Sequence, residues 1–103
     1  MNTEIATLLE NLKADYRRWS GLVNSPNEAM IERFENGLEV VEGNKYTKII
    51  QNNCVWGFVV AVDNDKKFRK GDILKPAGWA GPARNFARGN ILDGGYTVRW
   101  AGL

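Results

Sequence analysis

Two short stretches gather the residues best able to hold an anion, 66-KKFRKGD-72 and 81-GPARNFARGN-90. In the first, Lys66, Lys67, Arg69 and Lys70 surround Phe68. A basic, aromatic-bearing loop can contact a phosphate backbone while its ring stacks on a base. The plainer reading is a solvated loop that Phe68 anchors by tucking back into the core. In the second stretch, Pro82 suits a first helical position and Gly89 the residue just past a helix end, which predicts a short helix near 82–88. On it Arg84 and Arg88, four apart, share a face. Phe86 falls about 200° from Arg84 and becomes a core plug. The paired guanidinium groups could bind phosphate bidentately. They could equally bridge to glutamates of the N-terminal segment or cap backbone carbonyls. Trp79, in 76-PAGWAGP-82, sits in a loop, where it is either a binding group or a hydrophobic anchor. Lys66, Lys67, Arg69, Lys70, Trp79, Arg84 and Arg88 are therefore the candidate nucleic-acid contacts.

Other chemistries find little support. The chain has no histidine, so it has no imidazole base and no familiar zinc site. Its single cysteine, Cys54, allows no internal disulfide, which fits a reducing cytoplasm. Cys54 also lies in an apolar strand pattern that predicts a buried, inert thiol. Asp63, Asp65 and Asp72 share a loop but lack the spacing of a calcium site. No glycine pattern matches a phosphate-binding loop. No acid/base pair stands out, and the expectation is a non-enzymatic protein without metal or cofactor.

The elements that must carry these residues read as α+β. Ile5, Leu8, Leu9, Leu12, Tyr16 and Trp19 recur at helical spacing, and Ser20-Gly21 offers a stop. In 25-SPNE-28, Ser25 can cap a second helix, with Pro26 at its first position and Glu28 completing a capping box. Met30, Ile31 and Phe34 form its stripe, and Asn36-Gly37 ends it. The close spacing predicts a helical hairpin over residues 1–37. From Leu38 the period changes, and 38-LEVVE-42, 45-KYTKIIQ-51, 54-CVWGFVVAV-62 and 73-ILKPA-77 read as strands. Gly43-Asn44 and Asn52-Asn53 supply turns between them. Asp93-Gly94-Gly95 suggests a last hairpin between 91-IL-92 and 96-YTVRW-100. The strand at 54–62 is apolar at both alternations, so it should be central and covered on both faces. The whole predicts one domain over 1–103. Its sheet, over 38–103, has five or six antiparallel strands and curls into an SH3/OB-like barrel.

Charge is divided along the chain. Residues 1–42 hold eight acidic and four basic side chains, a net of −4; residues 43–103 hold ten basic and four acidic, a net of +6. Such asymmetry marks a nucleic-acid face, or lets an acidic helical part dock on a basic sheet. No apolar run approaches the roughly 18–20 residues of a membrane span. Glu4 and Glu10 stand where a signal peptide would be basic, then apolar, so no export is expected.

The segments 46-YTKII-50, 56-WGFVV-60, 68-FRKGDILKPAGWAGPARNFARGNIL-92 and 96-YTVRWAG-102 resemble a group of small uncharacterised proteins encoded by large tailed phages, including phages of marine cyanobacteria. The resemblance covers about the last 60 residues, and it assigns no residue a role. It implies a phage accessory protein of the host bacterial cytoplasm, and it leaves the helical N-terminal part as a conceivable variable appendage. Two functions follow: nucleic-acid binding through a basic barrel surface, or a protein-interaction adaptor for a host or phage protein, in some cases a homodimer. The oligomeric state is left open.

Overall fold

In the computed structural model, which describes residues 1–23 and 27–103, two helices precede a four-stranded antiparallel sheet. Helix α1 spans Asn2–Val23 and α2 spans Glu28–Asn36. Strands β1 (Leu38–Glu42), β2 (Tyr46–Gln51), β3 (Cys54–Val60) and β4 (Ile73–Leu74) lie side by side in chain order.

Helix α1 forms on the stripe its spacing predicts. Ile5, Leu8, Leu12 and Tyr16 are buried, and Leu9 and Trp19 are partly so. It does not stop at Ser20-Gly21 but runs on to Val23, since one serine and one glycine cost a helix only about 1–2 kcal/mol of propensity. Ser25 and Pro26, expected to start α2, lie outside the described residues. Asn27 fills the cap instead, its Oδ1 accepting from Met30 N–H at 3.1 Å, which places Glu28 in the first turn. The helices meet where Tyr16 stacks on Phe34 at 4.1 Å between centroids. Arg17 adds contacts to Glu28 and Glu35.

The sheet has an apolar layer on each face. On one, Ile5, Leu8 and Leu12 of α1 pack with Ile49, Trp56, Val59, Ile73, Ile91 and Val98. On the other, Phe58, Val60 and Leu74 pack with Phe68, a layer that the chain segments around 68 and 87 close. Strand β3 is thus central and covered on both sides, as its continuous apolar run requires. Its first residue escapes: Cys54 is exposed, not buried, because it follows the Asn52-Asn53 turn at the end of the sheet. Asn52 and Asn53 adopt φ of 49° and 65°, the left-handed pair that a two-residue hairpin needs.

Among the described residues the sheet is open, with four strands rather than five or six, and it does not close into a barrel. The chain after β4 accounts for the difference. Segment 82–90 is not a helix; it runs antiparallel beside 72–76, bridging at Asp72–Asn90 and Pro76–Pro82. Ile73 N–H donates to Gly89 O, Arg88 N–H to Ile73 O and Ala83 N–H to Lys75 O. Of these, Arg88 N–H is the donor that the expected helix would have paired within its own turn. Gly94 and Gly95 do turn with positive φ, but the flanking residues form no strand pair. Trp56 Nε1 donates to Arg99 O at 2.8 Å and Trp100 N–H to Asp15 at 2.8 Å, which fastens the C-terminal segment to β3 and α1.

Candidate interaction surfaces

The basic loop is built around one carboxylate. Asp65 Oδ1 accepts from the N–H groups of Lys67 and Phe68 at 2.8 and 2.9 Å, a side-chain-closed turn. Arg84 Nη2 reaches both its oxygens at 2.9 Å, and Lys45 Nζ approaches to 3.1 Å. Arg84 also donates to the Tyr46 hydroxyl. The Asp65 side chain is 1% exposed, yet this set of donors holds its carboxyl far below the usual range. The Arg84 guanidinium contributes most, followed by the Phe68 and Lys67 amides, against the opposing effect of burial. Reciprocally, Asp65 raises the Arg84 guanidinium above its ordinary value. Lys67 Nζ donates to Arg84 O at 2.6 Å, stitching the loop to segment 82–90. Phe68, only 5% exposed, lies beneath with the Arg84 guanidinium 4.9 Å over its ring.

Two further polar contacts position the end of the loop. Arg69 forms a bidentate pair with Asp93 at 2.9 and 3.0 Å, which lowers the Asp93 carboxyl. Buried Asp72 accepts from Arg69 N–H and from Asn90 Nδ2, each at 2.9 Å. Gly71, at φ 92°, makes the turn that brings Asp72 into line.

Of the seven sequence candidates, Lys66, Lys67 and Arg84 come together beside Asp65, and the other four have different neighbours. Arg69 and Arg84 are bound to carboxylates of the chain, and Lys67 to a carbonyl. Lys66 and Lys70 form no ion pair among the described residues; Lys66 lines a recess with Asn64 and Arg84, while Lys70 lines a different groove beneath α1. Without the helix, Arg84 and Arg88 take different partners. Arg84 turns to Asp65, not to the glutamates of α1 or α2. Arg88 stacks on Phe86 at 4.1 Å, and Phe86 is 53% exposed rather than a core plug.

Trp79 stands at the tip of a loop closed by Ala77 N–H and Gly81 O at 3.0 Å. Its ring is 57% exposed, with Lys48 Nζ 4.5 Å from the centroid. Lys48 is paired across the sheet with Val41, itself exposed on the outer strand β1. The row Val41–Lys48–Trp79 is therefore continuous surface. Sequence reading missed the first two, since a lysine and a valine within strands carry no motif. The signal in hand was the short, outermost segment E-V-V-E, whose alternation leaves one valine on each face.

Helix-covered, open at β1 and stitched together on its basic side, the molecule is a small α+β protein with two helices and an antiparallel four-stranded sheet. Its chain belongs to DUF7717, a family of unknown function, whose model matches residues 1–101. The match takes in both helices, so the N-terminal part belongs to the family as much as the sheet does. No curated protein and no solved structure gives a significant match. Among the described residues, no helix is long and apolar enough to cross a membrane.

Proposed function

We propose that this protein is a non-enzymatic interaction module that binds another protein. The observation that carries the reading is the exposed row Val41–Lys48–Trp79 beside an uncovered sheet edge. A large aromatic held in place by a cation, next to an aliphatic, is the composition of a protein-binding anchor. The internal pairing of Arg69, Arg84 and Lys67 supports it too, because those groups serve the loop's own architecture. Host or phage proteins are the partner class of this reading, which follows the phage resemblance of the C-terminal 60 residues. In this reading, which follows that resemblance, the protein acts in the host bacterial cytoplasm.

Trp79→Ala tests this. In capture from host extract with the tagged protein, a partner retained by the wild type should be lost by the variant, at a cost of about 2 kcal/mol or more. Equal retention would remove Trp79 as an anchor.

A second reading, nucleic-acid binding, draws on Lys66 and Lys70, with Arg88 and Trp79 assisting. Titration with single-stranded and duplex DNA and RNA at low and moderate salt separates the two. Salt-sensitive micromolar binding that Lys66→Ala and Lys70→Ala weaken would replace the protein-binding reading.

A further inference from the structure

Strand β1 is the outer strand of the sheet, and four of its five residues are exposed. Its hydrogen-bonding phase follows from its two ends. Gly43 N–H donates to Tyr46 O, and Gly37 O accepts from Asn52 N–H, each at 2.9 Å. Bonded residues alternate in an antiparallel ladder. Glu39 and Val41 therefore face β2, while Leu38, Val40 and Glu42 turn their N–H and C=O groups outward. Val40 lies opposite Ile49 and Glu42 opposite Thr47, on the face that α1 covers. There a groove of about 500 Å³ opens between α1 and β1, with Met1, Ile5, Leu9 and Val40 along its apolar side and Glu42 and Lys70 toward its end.

Charge decides what this edge accepts. The strand reads Glu39-Val40-Val41-Glu42, and neither glutamate has an ion-pair partner among the described residues. A second copy pairing antiparallel with Val40 against Val40 would offer neither glutamate a cation across the edge, which a basic segment supplies. The complement of acid-apolar-apolar-acid is base-apolar-apolar-base. We infer that β1 is a strand-addition site for an extended segment of another protein in which two basic residues flank two apolar ones. Such a segment completes the outward backbone bonds of Leu38, Val40 and Glu42. It lays one apolar side chain in the α1 groove beside Val40 and the other on Val41. Its two cations meet Glu39 on one face and Glu42 on the other. Backbone pairing supplies affinity, and the flanking charges supply selection. This inference rests on the protein-binding reading and specifies the partner segment's chemistry.

The test uses a blocked synthetic peptide with the core Lys-Val-Val-Lys and its counterpart with the core Glu-Val-Val-Glu, followed by amide NMR and hydrogen exchange on the full chain. The basic peptide should protect the Val40 and Glu42 amides and bind at least about tenfold more tightly than the acidic one. Val40→Pro removes an outward N–H that the β1–β2 ladder does not use, and edge strands tolerate proline. This variant should keep the fold and lose the peptide. The double change Glu39→Lys with Glu42→Lys should reverse the preference. Equal binding of the two peptides, no binding at millimolar concentration, or binding indifferent to Val40→Pro would each overturn the proposal. So would a concentration-dependent dimer abolished by Val40→Pro, which would give the edge to a second copy. If the edge fails while Trp79→Ala still releases a captured protein, the interaction reading stands without it. If the protein binds only nucleic acid, that reading falls whatever the peptides do.

Discussion

Asp65 shows how one side chain can turn a run of charges into structure. Its carboxylate takes two amide hydrogen bonds, one arginine Nη2 shared between both oxygens, and a lysine, in a position almost without solvent. A carboxyl whose folded value lies below its unfolded value contributes stability that is fully present above about pH 4. That contribution is lost as pH falls through the lowered folded value. Thermal midpoints of the wild type should therefore decline with acid below about pH 4. Asp65→Asn should start lower at neutral pH and show a shallower acid slope, since the amide does not titrate. Parallel slopes for the two proteins would mean that another group governs the acid limb. The pair Arg69–Asp93 is bidentate, but its side chains are 65% and 54% exposed. An exposed pair of this kind contributes little. None of this was legible in 66-KKFRKGD-72, because the partners Arg84 and Asp93 are remote in the chain. The inward turn of Phe68 was legible as the plainer of two readings, and it is what the buried ring shows.

At the scale of elements, the sequence was readable wherever a local pattern decided the outcome. The apolar stripe of α1, the two-sided apolar run of β3 and the Asn52-Asn53 turn all appear where periodicity and turn chemistry place them. Segment 82–90 was not readable. Pro82 and Gly89 suit a helix, but β4 offers its backbone groups as alternative partners, and tertiary pairing overrides a two-turn local preference. Segment 96–100 failed likewise: the Arg99 and Trp100 carbonyls are taken by the side chains of Trp56 and Gln51, contacts without any local signature. Cys54 misled because the apolar alternation began one residue before the cover does. The Asn52-Asn53 turn gives the clearest element-scale prediction. Asn53 is exposed at φ 65°, so backbone conformation dominates any substitution there. Asn53→Gly should be neutral or slightly stabilising, since Asn-Gly is the preferred pair for this turn. Asn53→Val should lose about 1–3 kcal/mol. Urea denaturation would measure both, and a stable valine variant would show that the loop relaxes to another turn type.

For the molecule as a whole, the question is whether the helices are an appendage or a wall of the core. The main apolar cluster answers in packing terms. It joins Ile5, Leu8 and Leu12 of α1 to residues of β2, β3, β4 and the C-terminal segment. A second aromatic cluster ties Tyr16 and Trp19 of α1 to Phe34 of α2 and Trp100 near the C-terminus, with Trp19 and Trp100 4.8 Å apart. The acidic N-terminal part thus docks on the sheet mainly through apolar contact, and the charge asymmetry read from the sequence is not what holds it. If α1 is a wall, nothing in the sheet's α1-facing layer is stable without it. Helix loss by far-UV circular dichroism and loss of the native Ile49 and Val59 methyl NMR signals, which report the sheet, should then follow a single denaturation curve. Leu12 is fully buried in this cluster. Leu12→Ala should lower stability by about 2–5 kcal/mol and shift both signals together. Two separated transitions, with only the helical one moved by the substitution, would instead show that the sheet stands alone and that α1 is attached to it.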